Sequence, residues 1–136
     1  MRYFKGDYKY VLAEDYDFDT GIASGGAQLS FCSITPAGNL RVRRGYAWDG
    51  PSGPTIDTRS FMRGSLIHDA LYQLLRETDF GNRQHHHKRE SADSILHAVC
   101  LKDGMWAWRA GWVYRCVRAG GVSSAEAKKR KVHTAP

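Results

Sequence analysis

The sequence predicts an α+β domain: a small N-terminal antiparallel sheet, then an antiparallel helix pair and a third helix. Three observations carry that reading. Apolar and polar residues alternate at a period of two through residues 8–46. Two stretches, 59–77 and 89–103, repeat apolar residues at helical spacing. A third apolar stretch, rich in tryptophan, runs from Met105 to Arg118. With 136 residues, 42% of them hydrophobic, the chain is long enough to bury one core of its own.

Taken in order, Tyr8, Tyr10 and Leu12 alternate with polar neighbours, as do Tyr16 and Phe18, then Leu29, Phe31 and Ser33, then Leu40 and Val42. Pro36-Ala37-Gly38-Asn39 is the turn chemistry expected to close a hairpin between strands 28–35 and 39–46, giving three or four short strands. Gly and Pro are then dense from Gly45 to Pro54, which forbids helix and strand alike and predicts a loop over 45–57. Asp57 or Thr58 is positioned to cap the first helix, over 59–77. The polar stretch 78–88 reads as an exposed loop, the second helix as 89–103, and Gly120-Gly121 as the stop of the third. One domain is therefore expected over 1–121, with its helical region at 58–118 and a disordered basic tail over 122–136.

No window approaches 18 apolar residues, so no transmembrane span is expected. The first residues lack the apolar run of a secretory leader. Cys32, Cys100 and Cys116 are distant and odd in number, and read as reduced, largely buried thiols of a cytoplasmic protein. The formal net charge is +6; the tail from Ser123 carries +3 of it, leaving +3 on the body. That surplus favours an anionic surface, whether phospholipid, nucleic acid or an acidic protein, and is too small to name which.

The candidate chemistry centres on Ile67-His68-Asp69-Ala70-Leu71-Tyr72. On a helical wheel His68 falls in the apolar stripe with Phe61, Ser65, Tyr72 and Leu75, while Asp69 lies about 100° round at its edge. The second helix carries one carboxylate, Asp93, in its apolar stripe of Ala92, Leu96, Val99 and Cys100. A buried carboxylate needs a partner. His68 is the economical one, across helices roughly 8–10 Å apart. Such a pair is either a general-base dyad or a satisfied core pair, and periodicity alone does not separate the two. Asp69, together with carbonyls from the Gly/Pro loop, would form an oxygen-only site suited to calcium. A rigid turn joining sheet to helix explains the same glycines and prolines.

His68-Asp69-x-x-Tyr72 followed by Ala92-Asp93 on a second helix resembles the active core of phospholipase A2, and Asp49-Gly-Pro-Ser-Gly-Pro54 is loosely similar to the loop of its viral-capsid branch. The whole chain is similar to a family of short phage and prophage proteins. The resemblance implies a calcium-assisted esterase acting on phospholipid. His68 would activate water, Asp93 would orient it, and Tyr72 would hydrogen-bond Asp93. Asp69 and carbonyls of Tyr46, Trp48, Gly50 and Gly53 would hold the ion. It further implies synthesis in the host bacterial cytoplasm and incorporation in the virion. Unlike the secreted phospholipases, this chain has no disulfide framework and no Gly-x-Gly-Gly segment. The rival expectation is a non-catalytic virion, tail or host-interaction protein that keeps the dyad as a structural network. An HD-type phosphohydrolase is set aside, because it needs an upstream histidine and His68 is the first in the chain.

Three other groups are weaker candidates. His85-His86-His87 lack helical ligand spacing and a Cys partner. His97 lies one turn after Asp93. Trp106, Trp108 and Trp112 suggest a membrane-interface or partner-binding patch, although core packing is expected for at least two of them. Lys128–Lys131 read first as a solvated run, with contact to nucleic acid or anionic lipid as the weaker alternative.

Overall fold

A computed structural model describes residues 1–5, 10–48, 59–81 and 84–120. The chain is α+β. Among the described residues, seven short strands form two antiparallel sheets, and three helices follow. One sheet joins β1 (Tyr3–Lys5), β2 (Tyr10–Leu12) and β7 (Ala47–Trp48) in the order β1-β2-β7. The other orders β3 (Tyr16–Asp19), β4 (Ala27–Gln28), β5 (Cys32–Ile34) and β6 (Asn39–Val42) as β3-β6-β5-β4.

The inward phase is as expected in β2 and β6, where Tyr10, Leu12, Leu40 and Val42 are buried. It is reversed in the middle. The expected strand 28–35 breaks into β4 and β5 at a turn closed by Leu29 N–H on the Cys32 carbonyl. That turn shifts the alternation by one residue, so Cys32 and Ile34 point inward and Phe31 stands half exposed. The expected strand 39–46 likewise stops at Val42. Arg43–Tyr46 form a turn, with Gly45 at φ 92°, and β7 then joins the other sheet. The β5–β6 turn falls where expected, with Gly38 at φ 97°. A Cβ at Gly38 would meet Ile22 N at 2.7 Å, so both conformation and space demand glycine.

Helix α1 spans Arg59–Glu77, matching the expected bounds, and buries the whole expected stripe. Helix α2 spans His85–Lys102, so it begins four residues earlier than the periodicity indicated. The reason is Lys88, which is buried rather than looped out. Its ammonium donates to the Phe80 carbonyl at 2.6 Å and lies 5.1 Å from the Phe80 ring centre. Helix α3 spans Ala107–Gly120 and packs Ala110 and Val113 inward. Its three neighbouring tryptophans do not join the core: Trp106, Trp108 and Trp112 are 71%, 70% and 53% exposed. Cys32 and Cys100 are buried as expected, and Cys116 is exposed, contrary to expectation. No helix among the described residues is long and apolar enough to cross a membrane. The helix cap at Asp57 or Thr58, Tyr8, the loop from Asp49 and the tail after Gly121 lie outside the described residues.

Candidate functional site

The site is built where α1 and α2 run antiparallel, as their contacts require. Rising numbers on α1 meet falling numbers on α2: Arg63 binds Asp103 through two bonds of 2.9 and 2.7 Å, Gly64 faces Leu96 and Cys100, and His68 and Tyr72 face Asp93. Gly64 permits the close approach. A Cβ there would sit 3.0 Å from both Cys100 Sγ and Leu96 Cδ1. One turn later, His68 reaches across.

His68 Nε2 lies 2.7 Å from Asp93 Oδ1, and the Tyr72 hydroxyl donates to the same oxygen at 2.5 Å. The two residues share a face because they are four apart, and their rings lie 4.1 Å apart between centres, tilted by 37°. Asp93 is fully buried. An ionised carboxylate only accepts hydrogen bonds, so Nε2 carries the proton and the Nδ1 lone pair of neutral His68 faces away from Asp93. On that side stands Asp69, its Oδ1 3.8 Å from Nδ1 and its side chain 40% exposed. The histidine therefore bridges a buried carboxylate and one at the surface.

Two arginines that sequence reasoning did not assign complete the cluster. Arg118 of α3 donates to Asp93 Oδ2 at 2.8 Å. Arg89, four residues before Asp93, holds its Nη1 3.7 Å from Oδ2 and 3.4 Å from the Tyr72 hydroxyl. Its guanidinium also donates to the Val117 and Arg118 carbonyls at the end of α3. The available signal for Arg118 was its place beside Val117 at the edge of the apolar stripe. For Arg89 it was the four-residue spacing to a buried carboxylate.

Burial alone would raise the Asp93 pKa, yet the bonds from His68, Tyr72 and Arg118 hold it below the ordinary carboxylate range. Burial likewise disfavours a charged His68, but Asp69 and Asp93 outweigh it and the imidazole pKa is raised. The Tyr72 phenol is pushed up by burial and by the adjacent carboxylate, so it remains a donor.

The expected calcium ligands are not all in view. Asp69 stands at the exposed edge as required. The Tyr46 carbonyl accepts from Leu12 N–H at 2.8 Å, which commits it to the sheet connection. The Tyr46 phenol is buried, and its ionisation is pushed up by that burial and then by the charge of Asp69. Trp48 lies in β7 opposite Tyr10, and its indole donates to Ser65 Oγ at 3.1 Å, which ties the end of β7 to α1 three residues before His68. Gly50 and Gly53 lie outside the described residues. Among the described residues no three His, Cys, Asp or Glu side chains converge as a metal site. The described donor set by itself is too small for calcium, which takes six to eight oxygens.

His85–His87 form the first turn of α2 rather than a loop, and His97 packs its ring against Tyr114 of α3. Neither joins the cluster. No protein-family profile, curated protein or solved structure matches the chain.

Proposed function

We propose that the chain is a phospholipase A2-like ester hydrolase acting on phospholipid, encoded by a phage. The observation that carries the reading is the orientation of His68: Nε2 is held 2.7 Å from Asp93, and the opposite ring nitrogen, Nδ1, which has a lone pair in the neutral ring, faces the half-exposed Asp69. His68 Nδ1 takes a proton from water, and the hydroxide adds to the ester carbonyl. The resulting imidazolium is stabilised by Asp93 and returns the proton to the departing alkoxide as the tetrahedral intermediate collapses. Asp93 is a positioning residue, which fixes the ring through Nε2 and is itself braced by Tyr72 and Arg118. The two carboxylates that raise the His68 pKa strengthen it as a base, and they shift the onset of activity to higher pH.

Asp69 is the residue that would anchor a calcium ion in this reading. When bound, such an ion supplies polarisation of the ester carbonyl. The test is fatty-acid release from anionic phospholipid vesicles by the full chain at millimolar calcium. Hydrolysis is expected to disappear in His68→Asn and in Asp69→Asn while the melts stay cooperative. Hydrolysis that survives His68→Asn, or no release by the wild-type chain with several millimolar calcium, sinks the proposal.

A second reading has its own support. Arg118 and Arg89 make Asp93 the meeting point of all three helices, which is what a purely structural network in a virion, tail or host-interaction protein needs. Under that reading His68→Asn weakens the fold and there is no hydrolysis to lose.

A further inference from the structure

Helix α3 is amphipathic with its largest apolar groups on the wrong side. Ala110 and Val113 face the core, with Val117 partly buried behind them. Trp108, Trp112 and Arg115 follow one another at helical spacing on the opposite face. The two indoles flank Gly111, where a Cβ would meet nothing within 4 Å, and the groove so formed encloses about 530 Å³. Trp106, just before the helix, extends the patch, its ring centre 6.1 Å from that of Trp108. A monomeric protein seldom leaves three large aromatics side by side in water without a use for them.

The charge around the patch selects the occupant. Arg115 stands exposed within it and Lys102 is exposed at the end of α2. From Gly104 to Gly120 the sequence holds three arginines and neither Asp nor Glu. The segment after Gly120 adds Lys128, Lys129, Arg130 and Lys131 against Glu126. A second copy of the chain meeting this face about a two-fold axis would bring two α3 helices of the same charge together, with neither Asp nor Glu between Gly104 and Gly120 to relieve it. The basic segment that follows α3 carries the same sign and is repelled in the same way. An anionic partner is required. Indole, apolar with one N–H donor, is the side chain that prefers the headgroup level of a bilayer, and arginine pairs with lipid phosphate.

We propose that the α3 face formed by Trp106, Trp108, Trp112 and Arg115 is a peripheral docking surface for anionic bilayers. The helix lies in the headgroup plane with the indoles at the boundary between headgroups and acyl chains and Arg115 on phosphate. The inference does not require the hydrolase reading, because a non-catalytic protein gains the same membrane contact.

The test is flotation of the full chain with vesicles of phosphatidylcholine alone and of phosphatidylcholine mixed with phosphatidylglycerol, at low and high salt. Binding is expected to the anionic vesicles and to weaken with salt. Trp108→Ser/Trp112→Ser should lower the partition by about tenfold or more, since these indoles touch little else in the fold. Arg115→Glu should abolish the preference for anionic lipid. His68→Asn should bind as the wild type does, which separates this surface from the hydrolytic site. The proposal is overturned if the double tryptophan variant binds unchanged, if phosphatidylcholine alone binds as well, or if His68→Asn loses binding with its fold intact. It is equally overturned by a dimer that the tryptophan variant dissolves without vesicle binding, or by tighter binding to single-stranded DNA than to lipid.

Discussion

Replacing Asp93 with alanine removes the acceptor shared by three helices. His68 Nε2 and the Tyr72 hydroxyl lose their partner inside the protein, and Arg118 loses a 2.8 Å charged bond. Stranding one buried hydrogen-bonding group costs about 1–3 kcal/mol. Breaking a buried ion pair from one side costs about 3–5 kcal/mol. The terms do not add fully, because Arg118 is partly exposed and can turn to water and His68 can discharge. We therefore expect a loss of about 3–5 kcal/mol, equivalent to a fall of about 10–18 °C in Tm for a domain of this size. The neighbouring change, Asp69→Ala, removes a 40% exposed carboxylate lying 3.8 Å from Nδ1 and should cost less than about 1 kcal/mol. The assay is urea unfolding followed by circular dichroism, with the slope compared to confirm that both variants unfold from the same compact state. A loss under about 1 kcal/mol for Asp93→Ala, or Asp69→Ala as the more damaging change, would refute the view that the buried carboxylate holds the helices together.

The acid limb of stability should carry the same signature. The Asp93 pKa is depressed on folding, so its contribution is present above the ordinary value of 3.8 and is lost as pH falls through the lower folded value. Melts below pH 4 should fall steeply in the wild type and more gently in Asp93→Ala. His68 has the opposite sign: its raised pKa gives a contribution complete below 6.5 that fades as pH rises through the folded value, detectable by NMR titration of the ring. Gly64→Val should cost about 1–3 kcal/mol by forcing α1 from α2, whereas Gly111→Ala, with open space in a helix interior, should gain about 0.5–1 kcal/mol. Thiol titration of the native chain should count one fast cysteine, Cys116, since burial pushes Cys32 and Cys100 up to about 12; all three should react in denaturant, and a second fast thiol would contradict the packing.

What could be read from the residues and what could not divides on physical lines. Helix α1 was legible because its stripe is continuous and unambiguous at helical period. The His68–Asp93 contact was legible because a carboxylate in an apolar stripe has few affordable partners. The β4–β5 turn was not, since Leu29-Ser30-Phe31-Cys32 contains neither Gly nor Pro to mark it. The start of α2 was hidden by Lys88, whose burial depends on the Phe80 carbonyl across a bend in the chain. The tryptophans misled for a different reason. Large aromatics usually pack inside, yet residue type alone does not say which side of α3 the core will take. For Arg118 the place beside Val117 marked the edge of the apolar stripe, but its partner was out of reach because no local pattern encodes how α3 docks.

Asp93 presents acceptors in both directions, Oδ1 to α1 and Oδ2 to α3, and every group around it is a donor. That closes the position to its nearest isostere. Asparagine has one carbonyl and one amide, so whichever way it is turned, an N–H faces either the imidazole and phenol or the guanidinium. Glutamate supplies two acceptors but carries them a methylene too far into a helix interface with no spare volume. Residue 93 is therefore a position with a substitution alphabet of one, fixed by hydrogen-bond polarity and reach, and this holds whether or not the histidine beside it ever takes a proton from water.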